Sequence, residues 1–215
     1  MNRKHYHLVR GVMICMAALA ILLIVILLTP VEAAAYEGGR ILTEKQIAVH
    51  EAAEILRGAG FEDDSAEIRA LSDIWWAEDD ALNILAKVCA NEAAGVPGAQ
   101  WCPVWHQAAV MQGVVNRTRM DGFPDTVREV VEQVLPSGYY AYDPAYARDF
   151  EGIDRHYYEL AKLVLDGTAA EIYSIPANVV YHDNVPHGPI WRTSYIDTGW
   201  FQSTTFFCTV GVSVQ

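Results

Sequence analysis

The sequence predicts an α+β protein, a mostly helical domain with a small C-terminal β-sheet. Two observations carry that expectation. Apolar residues recur at helical spacing, between capping boxes and Gly or Pro stops, from about residue 43 to residue 167. Beyond that point β-branched and aromatic residues take over in short runs, as strands require. A chain of 215 residues with 52% hydrophobic content holds one sizeable core.

Part of the apolar content lies outside that core. Arg3, Lys4 and Arg10 precede an uncharged run from Gly11 to Leu28, Pro30 breaks it, and Ala33-Ala34-Ala35 offers an A-x-A cleavage site. Residues 1–35 therefore read as an export signal or, if retained, an N-terminal membrane anchor, since the run is close to the lower length limit of a span. Either way the remainder is expected outside the cytoplasmic membrane, in the extracellular space or cell wall, or tethered to the outer face of that membrane.

Residues 36–215 carry 12 basic and 26 acidic side chains, a formal net charge of −14. With no basic stripe, this excludes nucleic acid as a partner and leaves neutral glycan strands admissible. Cys89, Cys102 and Cys208 follow the apolar run, and no C-x-x-C occurs. One disulfide, Cys102 with Cys208 or Cys89 with Cys102, and three buried thiols are both compatible with that pattern.

Residues 36–80 form a linker and two prefix helices. Thr43-Glu44-Lys45-Gln46 has the capping-box form and opens a helix to about Arg57, stopped by Gly-Ala-Gly. Asp64-Ser65-Ala66-Glu67 repeats the form before IRALSDIWW. The acidic step Ala77 to Asp80 places negative charge where a further helix, ALNILAKVCANEA, is expected to begin. That helix opens the main domain, residues 81–215, and Gly95 and Pro97 stop it.

Residues 104–119 make the next helix, with Val104, Ala108, Met111 and Val115 as its apolar stripe. Phe123-Pro124-Asp125-Thr126 turns the chain into a short helix bearing Val127, Val130, Val131 and Val134. Pro136 to Phe150 is a Tyr-rich loop, and Asp154 caps a helix, HYYELAKLVLDG, closed by Gly167. NVVYHDN, PIWRTSYI and STTFFCTVGVSV read as strands.

Leu85, Val88, Cys89 and Glu92 share one helix face, apolar until its last member. Burial by that stripe and the negative end of the helix macrodipole both favour the protonated form of a carboxyl placed there. A proton held near neutral pH is what a general acid in glycosidic cleavage needs. On the following helix Gln112, Asn116 and Arg119 form a polar stripe beside Ala109 and Gly113, either a solvated face or a ligand-facing one.

NEAAG followed by QAAVMQGVVNRTRMDGFPDTVREVV resembles the cell wall hydrolase family of spore-cortex-lytic enzymes (SleB type). The matching residues are Glu92-Ala93, Gly95, Gln107, Val110, Val114, Asn116-Arg117 and Phe123 to Val127, and the resemblance covers about residues 82–208. It implies a lysozyme-like fold and cleavage of the β-1,4 bond between N-acetylmuramic acid and N-acetylglucosamine in peptidoglycan, with Glu92 as the catalytic acid. Spore cortex, whose breakdown accompanies germination, and vegetative wall are both substrates consistent with it. Ala94 and Val96 depart from the family, which has an Arg and a second acid there, and GAQWCP is an insertion.

A single acid suits lytic transglycosylation: Glu92 protonates the glycosidic oxygen, then deprotonates the muramyl 6-hydroxyl, so no cofactor or metal is required. A hydrolytic lysozyme would more often need a partner carboxylate at about 5 to 9.5 Å; Asp121, Asp143 and Asp149 are the candidates. Gln112 and Asn116 are candidate substrate contacts, Asn116 for an acetamido group. Tyr140, Tyr142, Tyr181 and His182 are candidates to contact the sugar rings. The competing class is a metal-dependent peptidoglycan amidase or peptidase, suggested by His182, Asp183 and His187, although no H-E-x-x-H occurs.

Overall fold

The computed structural model describes residues 41–93, 102–136, 138, 141–142, 153–197, 199 and 202–210. The expected export signal or anchor, Tyr140, Asp143, Asp149 and the Ala94 to Gly98 stretch lie outside the described residues. Among the described residues no helix is long and apolar enough to cross a membrane. The chain divides into two compact units, Met1–Asp79 and Asp80–Gln215.

In the first unit Thr43 caps α1 (Glu44–Gly58) with both bonds of a capping box: its hydroxyl accepts from Gln46 N, and Gln46 Oε1 accepts from Thr43 N at 3.0 Å. Ser65 Oγ accepts from Ile68 N at the start of α2 (Ala66–Glu92). Val49, Ala52 and Ala53 bury against Ile68 and Leu71 to make this unit's core.

The two helices expected on either side of the Ala77 to Asp80 step are one 27-residue helix. Nothing in AEDD breaks a helix; it lacks Gly and Pro, and its charges find cations. Lys45 Nζ meets Glu78 at 3.0 Å within the first unit, and Arg128 Nε meets Asp80 at 3.0 Å within the second. The macrodipole argument for a start at Asp79 and Asp80 fails because no N-terminus is there.

The second unit is α+β. After the end of α2 come α3 (Val104–Arg117), α4 (Val127–Val131), α5 (Arg155–Leu165) and α6 (Thr168–Tyr173), then β1 (Val179–Asp183), β2 (Ile190–Asp197) and β3 (Gln202–Thr209). All three strands run antiparallel in the order β1-β3-β2, so β3 returns between the other two. Asp154 caps α5 through His156 N, and Gly167 takes φ +82 at its exit. Only α6 has no counterpart in the expected pattern; six residues are too few to show a helical period.

The helix α3 is the centre of this unit. Its expected single apolar stripe understates its burial, because every residue from His106 to Arg117 is buried. It packs against α4, α5, α6 and β1. A helix enclosed all round must satisfy its polar side chains inside the protein. Gln107, Gln112, Asn116 and Arg117 are those side chains, whereas Arg119, placed on the same stripe by spacing, lies past the helix end and is exposed.

Candidate active site

Glu92 closes α2, and Ala93 N still donates to Cys89 O at 2.9 Å, so the helical hydrogen bonding does not stop short of it. Leu85, Val88 and Cys89 on its face are no more than 1% exposed, yet Glu92 itself is exposed. The expected desolvation of the carboxyl by its own stripe is therefore corrected. It shares the helix face of Val88 but lies one turn nearer the helix end, where the side chain is exposed. The result is an acid on a core-facing side that opens to solvent.

The charge of Glu92 reaches the Tyr142 hydroxyl. Burial is the largest cause holding that phenol above its ordinary range; Glu92 adds to the rise and Arg117 opposes it. Tyr142 is 3% exposed, and its hydroxyl has no hydrogen-bond partner. Arg117 places its guanidinium carbon 5.2 Å from the ring centroid of Tyr142, 5.2 Å from that of Tyr181 and 5.5 Å from that of Phe123.

A β-bulge positions this cluster. Val179 pairs with Thr209 and Tyr181 with Cys208, which leaves Val180 as the extra residue. Its carbonyl oxygen accepts from Arg117 Nε at 2.8 Å, and the guanidinium is thereby fixed among the three rings.

Gln112 and Asn116 sit beside this cluster, but not as free contacts. Asn116 Nδ2 donates to Pro176 O at 3.0 Å and Val179 O at 2.8 Å, while its Oδ1 accepts from Gln112 Nε2 at 2.9 Å. Both residues are 2% exposed. The expectation that Asn116 touches a ligand is corrected, because its amide is spent on pinning β1 to α3; Gln112 holds Asn116 through Nε2, while its Oε1 is buried without a partner. Gln107 has the same kind of role. Its Nε2 donates to Cys102 O at 3.2 Å, its Oε1 lies 2.9 Å from His156 Nε2, and its carbonyl accepts from the Cys89 thiol.

His182 stacks on Phe207 at 6.0 Å and lies 5.7 Å from the ring of Tyr142. Burial, then the Arg117 charge and His106, push its pKa down to about 3, so it is neutral at physiological pH. His187 does not join it. Its Nε2 lies 2.8 Å from Asp183 Oδ2 at the exposed end of β1, where Tyr181 is its ring neighbour at 6.1 Å. Burial raises the Asp183 carboxyl, but the His187 bond and the Asn184 and Val185 backbone N–H groups outweigh it and leave the carboxyl below its usual range. Among the described residues no group of three His, Cys, Asp or Glu is placed to hold a metal ion. Cys89, Cys102 and Cys208 are buried free thiols.

The site thus brings Glu92, Tyr142 and Tyr181 into one region, with His182 behind Tyr142. Sequence reasoning missed Arg117 and Phe123. The available signal was an Arg adjoining Asn116 on a helix otherwise too apolar to be at the surface.

No family model matches the chain, and neither a curated protein nor a solved structure is detectably similar to it.

Proposed function

We propose that the protein is a glycosidase that cleaves the β-1,4 bond between N-acetylmuramic acid and N-acetylglucosamine in peptidoglycan, acting outside the cytoplasmic membrane. The observation that carries the reading is Glu92 itself: a carboxyl that ends a helix face whose other members, Leu85, Val88 and Cys89, are buried, and that is open to solvent. The resemblance of the Glu92 to Val127 segment to spore-cortex-lytic enzymes supports the same residue as the acid.

In this reading a glycan strand lies over the C-terminal end of α2. Glu92 protonates the glycosidic oxygen as the bond to the anomeric carbon breaks, and positive charge develops at that carbon. The Glu92 carboxylate then takes the proton of the muramyl 6-hydroxyl, whose oxygen closes on the anomeric carbon. The seated sugar, rather than the helix stripe, displaces water from the carboxyl. Lytic transglycosylation is favoured over hydrolysis because it needs one carboxylate, and the wall strand is the one macromolecular partner required.

Digestion of wall and cortex peptidoglycan, followed by mass spectrometry of the fragments, tests the proposal. Anhydro-muramyl ends are expected, and Glu92→Gln is expected to lose at least 100-fold in rate, the scale of general acid catalysis. Full activity in that variant overturns the assignment. Loss of activity on chelation would favour a metal-dependent amidase.

A further inference from the structure

Arg117 is 6% exposed, and among the described residues it makes no ion pair. Every other arginine for which an ion pair is seen, Arg57, Arg128 and Arg155, is far more exposed and meets a carboxylate. A guanidinium carries five N–H donors, and here the Val180 carbonyl takes the one on Nε. Its central carbon stands over the rings of Phe123, Tyr142 and Tyr181, which attract the charge but accept no in-plane hydrogen bond. The planar outer edge, carrying the two terminal nitrogens, is what remains. Next to it Tyr142, itself 3% exposed, holds a hydroxyl with no partner. A buried hydroxyl without a partner and a guanidinium whose one hydrogen bond is through Nε thus lie side by side, the guanidinium carbon 5.2 Å from the Tyr142 ring.

We infer that the outer edge of Arg117, with the Tyr142 hydroxyl, is a binding site for a ligand carboxylate. A carboxylate is the ligand group chosen because a planar two-oxygen acceptor matches the two parallel N–H donors of a guanidinium. His182, kept neutral behind Tyr142, adds no competing charge, and the Asp183 carboxylate is engaged with the imidazole of His187. The site adjoins Glu92, whose charge is felt at the same hydroxyl.

That the carboxylate belongs to peptidoglycan rests on the function proposed above. Two sources supply it there, the lactyl arm of a muramyl residue and the stem peptide. Binding to one of them would orient the strand relative to Glu92 and make cleavage selective for strands that carry the free acid.

Isothermal titration of the full chain with three probes tests this: N-acetylmuramic acid, its lactyl methyl ester and L-alanyl-D-glutamate. At least one of the two acids is expected to bind. If the lactyl arm is the source, N-acetylmuramic acid binds about tenfold or more tightly than its ester; if the stem peptide is, only the dipeptide binds. Tyr142→Phe, which removes one oxygen and leaves the ring cage, should weaken the bound acid severalfold, and Arg117→Gln should abolish binding. Equal binding of acid and ester with no binding of the dipeptide, no binding of either acid, or an affinity unchanged in both variants overturns the inference. Neither probe contains a scissile bond between sugars, so a failure here is read separately from the wall digest that tests Glu92.

Discussion

Asn116 donates a 2.8 Å hydrogen bond from Nδ2 to the carbonyl oxygen of Val179, across 63 residues of sequence. The bond joins the central helix α3 to the first strand, one residue before the bulge that presents Val180 to Arg117. Asn116 thus builds the site without facing it.

Replacing Asn116 by Ala takes a donor from the Val179 carbonyl and the acceptor from the Gln112 amide in the interior, whereas the Pro176 carbonyl keeps its bond from Val179 N at 3.1 Å. Each buried polar group so stranded costs about 1 to 3 kcal/mol. Urea unfolding of Asn116→Ala should show a midpoint lowered by an amount corresponding to about 2 to 4 kcal/mol, with the slope unchanged. A variant that unfolds like the wild type but binds glycan weakly would restore the ligand-contact role.

Two glycines are expected to answer oppositely to alanine. A Cβ on Gly113 would lie 3.9 Å from the Val180 carbonyl oxygen, an ordinary contact, so Gly113→Ala should be neutral or stabilise by up to about 1 kcal/mol through helix propensity. A Cβ on Gly188 would meet the Thr209 carbonyl oxygen at 2.7 Å. Gly188→Ala must shift the β1 to β2 connection, where Thr209 N donates to Pro189 O at 2.9 Å, at a cost of about 1 to 3 kcal/mol. Thermal denaturation of the pair checks both signs.

Acid should weaken the fold through buried imidazoles. Burial lowers the pKa of His106 to about 4, and its ring stands edge-on to Phe207 at 4.9 Å. The folded state therefore resists protonation that the unfolded chain accepts from about pH 6.5 downward. Stability contributed by neutral His106 is complete above that pH and is lost as pH falls toward 4, roughly 3 kcal/mol over the window. Urea midpoints measured from pH 7.5 to 4 should fall accordingly, with a shallower fall in His106→Gln. A flat profile would contradict the burial of this ring.

The thiols should be silent in the native protein. Burial pushes the Cys102 thiol up to about 11 and Cys89 higher still, so little thiolate forms at pH 8. Iodoacetamide labelling followed by intact mass should add nothing to residues 36–215 before unfolding and three adducts after it. A mass lower by two hydrogens would instead reveal a disulfide.

The order of elements was legible because each has a local cause. The Thr43 capping box, the Asp154 cap, the exit at Gly167 and the change from helical to strand residues after Tyr173 all act within a few positions. The Ala77 to Asp80 step was misread because acidic residues favour a helix start but do not create one. With no Gly or Pro in the step, the helix continues through it.

The candidate site divides in the same way. Sequence alone determined that an acid, Glu92, ends an apolar helix face, and it offered Gln112, Asn116, Tyr140, Tyr142, Tyr181 and His182 as candidate contacts. Only the tertiary structure decided what each does. Glu92 is exposed at the end of α2 although Val88, one turn earlier, is buried, and Asn116 is closed because β1 passes beside α3. Arg117 is presented because a bulge frees one carbonyl. Burial and hydrogen-bond partnership are properties of the contacts between elements. A helical period fixes the direction a side chain leaves its helix, but not what it finds there.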